Sequence, residues 1–421
     1  MGTGTPVTNS QEFWRRNVTQ ITRRPLRLGI DVPLLLIVAI LLVFGLLMVY
    51  SASTDYSFVI LGEAPAYMFR RQLVFALLGI GLATIATFID YRRWQKLALP
   101  AILVTLVSLI AVLLIGQVVN NAARTLFGAS IQPSEAAKLV TVIYLSVWLF
   151  AKRDDLSQIG FGVVPLGFII GILGGLILLQ PDLSAAATIF LLGSLMFFLA
   201  GGDLRQFALL FLGGLASGWI VFSLHPTGKQ RLAEYLVSRQ DITQAPMHLS
   251  RSLEAIVKGG WFGVGIGQAD TKLTGLPVPP TDSIFAVIGE ETGLIGAAVV
   301  VILFILLMWR GLVIAQKAPD GLGKLMAAGL CLWIAIEAFI NMAVIVGLVP
   351  FAGNALPFIS AGGSNLVISL VAIGILMNIS RMSVKTIEEK ERVTDAVVDL
   401  RRWDRRRRVP RTRRAQSTHS Q

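Results

Sequence analysis

The sequence predicts an all-α polytopic membrane protein with about ten transmembrane helices. Hydrophobic residues make up 54% of the 421 residues, which is more than a soluble globular domain usually carries. Several apolar runs reach the roughly 20 residues needed to cross a bilayer. The Lys and Arg residues, which give a net charge of +12, concentrate at the two ends and in short connections between apolar runs. This distribution is typical of the cytoplasmic segments of membrane proteins.

The chain divides into a basic N-terminal arm (1–30), a transmembrane domain (31–381) and a basic tail (382–421). We expect the tail to be disordered, with a short surface helix over its early part, 384–400, as the alternative. Both termini are expected in the cytoplasm because of their positive charge. A large external loop, 225–280, is expected between helices 7 and 8. The predicted spans, in order, are residues 32–51, 73–89, 97–115, 133–150, 163–179, 185–199, 207–224, 282–309, 325–346 and 366–379.

Composition argues against several classes of protein. The single cysteine, Cys331, allows no intrachain disulfide. Three histidines and no Cys/His cluster offer no ligand set for a resident metal, and no cofactor is expected. A nucleic-acid partner is not expected either, because the positive charge follows the membrane topology and forms no basic domain.

The stretch LPVPPTDSIFAVIGEE, residues 276–291, is the first candidate for a functional site. Its three prolines break regular structure, and Asp282 lies where this loop meets an apolar helix. One interpretation is that Asp282 caps the helix, because Asp is favoured at that position. The alternative is that the rest of the chain positions Asp282 for chemistry.

Other ionisable residues near or within the spans are candidates because burying charge in a membrane is costly. Glu135 and Lys138 share one helix face at their spacing, either as a structural ion pair or as part of a site. Asp182 begins a span, where capping is the simpler interpretation. Glu290 lies about 80° around the helix from Asp282 and is the better placed of two glutamates to support it. Glu337 is expected to form an interhelical contact.

The external segment contains a glycine run, GGWFGVGIG at 259–267, and several cations. The run does not follow a strand, so a nucleotide site is not indicated, and the glycines are expected to permit a tight backbone path. External Lys and Arg residues oppose the usual charge bias and therefore indicate an anionic partner. They are Arg231, Arg239, Arg251, Lys258 and Lys272.

Five separated motifs resemble the SEDS family of peptidoglycan glycosyltransferases (FtsW, RodA and SpoVE), with an FtsW-like overall pattern. They are QPSEAAK at 132–138, QPDLS at 180–184, GGWFGVGIGQ at 259–268, LPVPPTDSIFAVIGEETG at 276–293 and GLVPFAGNALPFISAGGS at 347–364. The resemblance covers most of residues 31–381. Four positions depart from the family pattern: Pro280 replaces His, Ser283 replaces Phe, Ala361 replaces Tyr, and Arg124 is followed by Thr125 instead of a second Arg.

The resemblance implies a multi-pass protein of the bacterial cytoplasmic membrane that polymerises lipid II into glycan strands. The essential external acid of the family falls on Asp282, which would act as general base, and its acid and lysine in the fourth helix fall on Glu135 and Lys138. Lys138, Arg124 and the external cations would neutralise the undecaprenyl diphosphate leaving group, with a divalent cation as a possible helper. A class B penicillin-binding protein and other divisome or elongasome membrane proteins are the implied partners.

Two other functions remain open at this level. Glu135, Lys138 and Glu337 would also suit a path for a lipid II flippase. The departures from the family motifs leave room for a scaffold without activity that recruits the penicillin-binding protein. The sequence does not distinguish a division role from elongation, although the long basic ends favour division slightly.

Overall fold

The computed structural model describes residues 29–115, 117–119, 122–125, 132–180, 182–224, 226–241 and 244–406. Side chains of residues 117–119, 122–125, 221–222, 224, 226–227, 240 and 387–406 are outside this description. The helices are α1 (Val32–Asp55, continued by a π-helical turn at Tyr56–Ile60), α2 (Tyr67–Phe88), α3 (Arg92–Ile115), α4 (Pro133–Ala151), α5 (Val163–Leu179), α6 (Leu183–Leu199), α7 (Leu204–Leu224), α8 (Pro226–Gln240), α9 (Met247–Gly259), α10 (Ile284–Lys317), α11 (Gly321–Ile345) and α12 (Gly363–Arg406).

The described residues form an almost entirely helical bundle. One short antiparallel ribbon, β1 (Gln117–Val119) with β2 (Ala122–Thr125), follows α3. Seven helices are long and apolar enough to cross a membrane, namely α1, α2, α3, α4, α10, α11 and the first part of α12. Three shorter apolar helices, α5, α6 and α7, complete the set. The all-α polytopic class is confirmed, whereas the number of crossings and the sidedness stay predictions.

Helix α11 forms much of the centre of the bundle. Its side chains are buried along most of its length, including Trp333 and Glu337, which have no exposed surface. Helix α10 packs along α11, α4 contacts α11 and α3, and α12 lies along α2. By contrast, α1, α2 and α3 expose many large apolar side chains, as expected for helices that face lipid.

The last helix is longer than the sequence analysis predicts. We placed the end of the transmembrane domain at residue 381 and expected a disordered tail or a short surface helix over 384–400; α12 continues to Arg406, in line with the helical alternative. The physical reason is local: the sequence has no Gly or Pro between residues 375 and 406, and its polar part is rich in Glu, Lys and Arg, which are good helix formers. The basic arm 1–28 and the end of the tail, 407–421, are outside the described residues.

The glycine run of the external segment docks into a break in helix α10. Gly293 has φ 70° and ψ −174°, a conformation that interrupts the helix and favours glycine. The backbone N–H groups of Leu294 and Ile295 donate to the carbonyls of Gly260 and Trp261. In return, the backbone N–H groups of Val264 and Gly265 donate to the carbonyls of Glu290 and Glu291. The broken helix therefore finds its missing backbone partners in the glycine run, as membrane proteins require.

The close approach of the two backbones explains why the sequence has glycines in this run. A Cβ atom added at Gly259 would lie 2.0 Å from the carbonyl oxygen of Gly289, and one at Gly263 would lie 2.2 Å from that of Glu291. No side chain fits between two backbones at these distances. The expectation of a tight backbone path is confirmed, and the run has no role as a phosphate loop in this arrangement.

The predicted sidedness can be tested with two cysteine variants. Thr274 is exposed in the external segment, and the Asp154 side chain is 90% exposed after α4, in a basic turn predicted to be cytoplasmic. The native Cys331 is buried, so background labelling should be low. A membrane-impermeant maleimide should label Thr274→Cys in intact cells and Asp154→Cys only after permeabilisation. The opposite pattern would reverse the orientation.

Candidate active site

Asp282 lies in an irregular loop that is held by its neighbours from several directions. The Ser360 hydroxyl donates to the carbonyl of Thr281 at 2.7 Å, and the Asn341 amide donates to the carbonyl of Asp282 at 3.0 Å. The N–H of Ala361 donates to the carbonyl of Pro280 at 2.8 Å. Loop 350–362 and helix α11 thus fix the backbone on both sides of a half-buried carboxylate.

The backbone of Gly353 comes close to the Asp282 carboxylate. A Cβ atom at position 353 would lie 2.8 Å from Oδ2 of Asp282, so only glycine leaves this side of the acid uncrowded. The N-cap position of α10 belongs to Ser283, one residue after Asp282. The prediction that the eighth helix begins at residue 282 is wrong by two residues, because the proline-rich loop continues through Ser283.

Asp182 caps helix α6 and also joins two other segments. Its Oδ1 accepts from the N–H of Ala185 at 3.2 Å and from the Ser184 hydroxyl at 3.0 Å. Its Oδ2 accepts from Ser134 and Gln132, at the start of α4. The capping interpretation is confirmed. The Ser184 hydroxyl also lies 2.9 Å from the carbonyl of Gly353, which ties this cap to the loop that touches Asp282.

The Glu135–Lys138 pair is part of a larger buried cluster. The Nζ atom of Lys138 lies 2.8 Å from Oε2 of Glu135 and also forms an ion pair with Glu337 of α11. The Lys138 side chain is only 1% exposed. The Asn365 amide of α12 donates to Glu135 at 2.8 Å and lies 3.5 Å from Glu337. Three helices therefore share one cation and two carboxylates, and the interhelical contact predicted for Glu337 is confirmed.

Two asparagines connect this cluster to the loop of Asp282. The Asn354 amide donates to the backbone carbonyl of Glu337 at 2.9 Å, and the Asn341 amide donates to the carbonyls of both Asn354 and Asp282. Loop 350–362 is thus linked by hydrogen bonds to the backbone of Glu337 on one side and, through Asn341, to the backbone of Asp282 on the other. The sequence analysis missed Asn341, Asn354 and Asn365, although Asn341, an amide inside an apolar span, is a signal in its own right.

Glu290 contacts the external segment, and the support of Asp282 that we predicted for it stays a prediction. Its carboxylate accepts from the N–H of Asp270 at 3.0 Å, from the N–H of Thr271 and from the Thr271 hydroxyl. These contacts hold the segment between the glycine run and the proline-rich loop. We predicted support of Asp282 on the assumption that this surface of α10 is exposed. The external segment instead folds back over α10 and donates hydrogen bonds to the Glu290 carboxylate.

Lys272 also has a structural partner. Its Nζ lies 3.2 Å from Oε1 of Glu291 in an ion pair whose side chains are 5% and 0% exposed. The same amine donates to the carbonyls of Ser51 and Gly267, and the Ser51 hydroxyl donates to Glu291. Lys272 therefore connects the external segment to α1 and α10 through hydrogen bonds and an ion pair. Because its charge is balanced by Glu291, any contact with a leaving group would require Lys272 to leave this partner, and the role that we predicted for it stays a prediction.

We expect Lys272→Met to lower the stability of the protein strongly. The change leaves the Glu291 carboxylate buried without its cation, which typically costs about 3–5 kcal/mol. The double variant Lys272→Met/Glu291→Gln should recover most of the loss. Lys258→Met is a matched control, because its ion pair with Glu254 is exposed and should contribute less than about 1 kcal/mol. Thermal unfolding in detergent measures all three, and equal losses for Lys258 and Lys272 would contradict the assignment.

Two site predictions, the role of Arg124 and assistance by a divalent cation, stay predictions. Arg124 lies on β2, but its side chain is outside the described residues, so its role stays a prediction. Among the residues whose placement is described, no group of three or more His, Cys, Asp or Glu side chains is arranged to hold a metal ion. Assistance by a divalent cation also stays a prediction.

The bundle and its polar loops define a multi-pass membrane protein with a carboxylate site where irregular loops meet the helix ends. Comparison with known families identifies the class more closely. The model of the Cell cycle protein family of FtsW, RodA and SpoVE matches residues 32–385. The chain belongs to this family, and the resemblance seen in the sequence is confirmed.

Similar proteins agree along nearly their whole length. The probable peptidoglycan glycosyltransferase FtsW of Trichlorobacter lovleyi is 40% identical over 368 residues, covering 86% of this chain and 96% of the relative. Stage V sporulation protein E of Bacillus subtilis is 37% identical, with 84% and 97% covered.

Solved structures share the fold. A chain from a study of the structural coordination of polymerization and crosslinking by a peptidoglycan synthase complex has a TM-score of 0.68 at 25% identity, with 84% of this chain and 98% of that chain covered. The rod shape determining protein RodA of Thermus thermophilus has a TM-score of 0.60 at 24% identity, with 84% and 97% covered, and supports the fold alone.

Proposed function

We propose that this chain, a multi-pass peptidoglycan glycosyltransferase of the bacterial cytoplasmic membrane, polymerises lipid II into glycan strands at the outer face. Relatives at 37–40% identity over most of the chain carry names that place them in peptidoglycan synthesis or sporulation. The observation that carries the site assignment is the convergence on Asp282 of loop 350–362 and helix α11. A carboxylate whose backbone is held so closely suits a reaction that requires exact placement of a base.

Asp282 would act as the general base. The 4-hydroxyl of the acceptor sugar transfers its proton to the Asp282 carboxylate. At the same time, the hydroxyl oxygen forms a bond to the anomeric carbon of the donor. The bond from that carbon to the diphosphate breaks, and undecaprenyl diphosphate leaves with the electron pair. Such a base must come within hydrogen-bond reach of the hydroxyl, about 2.6–3.2 Å. The half-buried position of Asp282 leaves part of its surface open to a substrate.

The charge that develops on the diphosphate needs cations nearby. Lys138 is balanced by two carboxylates, so its role would be to organise the site, and any direct contact with the diphosphate would require it to leave these partners. Arg231 is better placed, because its guanidinium lies 5.1 Å from the centre of the Phe351 ring and donates to the Phe351 carbonyl, two residues before Gly353. A divalent cation could share this task.

The partner would be a class B penicillin-binding protein, the transpeptidase that crosslinks new glycan. Support comes from the structural neighbour whose study concerns the coordination of polymerization with crosslinking in a peptidoglycan synthase complex. Further membrane proteins of the divisome or elongasome are expected around this pair.

A reconstitution experiment tests the proposal. The purified protein is placed in liposomes with lipid II, with and without the cognate transpeptidase, and the products are separated by size. Glycan polymer supports the proposed function, and a rise on adding the transpeptidase supports the partner. Movement of lipid II between leaflets without polymer would indicate a flippase, and neither activity would indicate a scaffold.

A further inference from the structure

A histidine from helix α9 fastens the loop that carries Asp282. The Nε2 atom of His248 lies 3.0 Å from the Ser283 hydroxyl oxygen, and that hydroxyl donates to the carbonyl of Pro277 at 2.6 Å. The imidazole also packs on the Phe351 ring, with 4.0 Å between ring centres. One side chain therefore contacts both segments that border Asp282: the proline-rich loop and loop 350–362.

The hydrogen bonds assign the proton on this histidine. A serine hydroxyl has one proton, and a carbonyl oxygen has none to donate. Because Ser283 gives its proton to Pro277, the contact between Ser283 and His248 requires a proton on Nε2. His248 is therefore the donor at the start of a two-bond chain that runs from the imidazole through Ser283 to Pro277.

The chain spans a strained part of the loop. Val278 has φ 44°, which is unusual for a β-branched residue and persists only where the surroundings enforce it. The Pro277 carbonyl lies just before Val278, and Ser283 lies just after Asp282. The Thr281 N–H also donates to the Val278 carbonyl at 3.2 Å. Closing the loop between Pro277 and Ser283 thus restricts every residue between them, including Asp282.

The environment keeps the imidazole neutral. Burial and the nearby Arg231 guanidinium lower the pKa of His248 to about 4. Arg231, Glu234 and Tyr235 line the same cleft beside His248. The ring therefore acts as a neutral donor at physiological pH, and a conservative replacement needs an N–H group and no charge.

We propose that His248 is a positioning residue for the polymerisation reaction, holding the Asp282 carboxylate in place through Ser283. The serine stands where the family pattern has Phe, and a phenyl ring could neither accept from His248 nor donate to Pro277. The proposal rests on the proposed function of Asp282, so its test includes a measurement that does not depend on activity.

Four single variants and one double variant separate a hydrogen bond from simple packing. Gln places an amide N–H near the position of Nε2, whereas Asn places it about one bond shorter, near Nδ1, and Leu fills space without a donor. We expect His248→Leu and His248→Asn to lower kcat about 10- to 100-fold, because a misplacement near 1 Å costs up to about that factor. KM for lipid II should change little. His248→Gln should retain most activity, and Ser283→Ala should lose activity without a further loss in Ser283→Ala/His248→Leu.

These outcomes decide the proposal. Wild-type kcat for His248→Leu, or equal losses for Leu and Gln, would overturn it, as would additive losses in the double variant. Should His248→Leu fail to fold, the comparison of Gln with Asn, both scored for folded yield by size-exclusion chromatography, carries the same test.

Nitrogen NMR on histidine-labelled protein provides the independent measurement. The chain has three histidines, so His248→Gln assigns the resonance by its disappearance. We expect a neutral ring with the proton on Nε2 at pH 7, and a shift of that signal in Ser283→Ala. A proton on Nδ1, or a charged ring at pH 7, would overturn the proposal whether or not the protein polymerises lipid II. Absence of polymer from the wild type, with the expected spectrum, would instead refute the proposed function alone.

Discussion

Asp282→Asn should fold, insert and associate with its transpeptidase but produce almost no glycan polymer. The change removes the proton acceptor and keeps the shape of the side chain. General-base catalysis typically contributes about 10²–10⁴-fold, so we expect a loss of that size in the initial rate of lipid II polymerisation. Backbone contacts from Asn341, Ser360 and Ala361 to this loop do not involve the carboxylate and should survive.

The matched control is Asp270→Asn, which makes the same chemical change on an exposed residue of the same external segment and should retain wild-type activity. Asp282→Glu keeps the acid but moves it by one methylene group, so reduced activity is expected. Near-normal polymer from purified Asp282→Asn would end the general-base assignment and favour a purely structural role.

Lys138→Met should have the largest effect on folding of the changes considered. It removes the cation between Glu135 and Glu337 and leaves two buried carboxylates uncompensated. Breaking a buried ion pair in this way typically costs about 3–5 kcal/mol. We expect little folded protein in membranes and a lower unfolding temperature in detergent. Neutralising one carboxylate as well, in Glu135→Gln/Lys138→Met, still leaves Glu337 buried and should recover only part of the loss.

Two further variants test this account of the charge balance in the cluster. Glu135→Gln alone leaves a neutral Lys138–Glu337 pair and should be well tolerated for folding. The triple variant Glu135→Gln/Lys138→Met/Glu337→Gln removes all the charges and should fold better than Lys138→Met, with low activity. A wild-type folded yield from Lys138→Met would show that the cluster is hydrated or already neutral.

Local pattern predicts much of this fold. Apolar runs locate the helices because lipid demands length and hydrophobicity from each span. The spacing of Glu135 and Lys138 also predicts their contact correctly, since residues three apart share a helix face. The N-cap role of Asp182 follows from the same kind of short-range geometry.

Contacts between distant segments are what the sequence could not provide. The second partner of Lys138 is Glu337, nearly two hundred residues away, and no spacing rule connects them. Glu290 and Lys272 were assigned to the site because the external segment was treated as an open loop. The docking of the glycine run on α10 gives both side chains structural partners. The helix to Arg406 shows that charge alone does not decide between disorder and a surface helix, because charged residues such as Glu, Lys and Arg are good helix formers.

With Asp282 as the proposed base, the break at Gly293 would also set the depth of the reaction in the membrane. Residues 294–317 alone, at about 1.5 Å per residue, measure about 36 Å, more than the roughly 30 Å thickness of the hydrocarbon layer. The part of α10 before the break, which follows Asp282, is therefore not needed to cross the bilayer. It can lie at the level of the lipid headgroups, where the sugars of a lipid-linked donor meet water while its polyprenyl chain stays among the acyl tails.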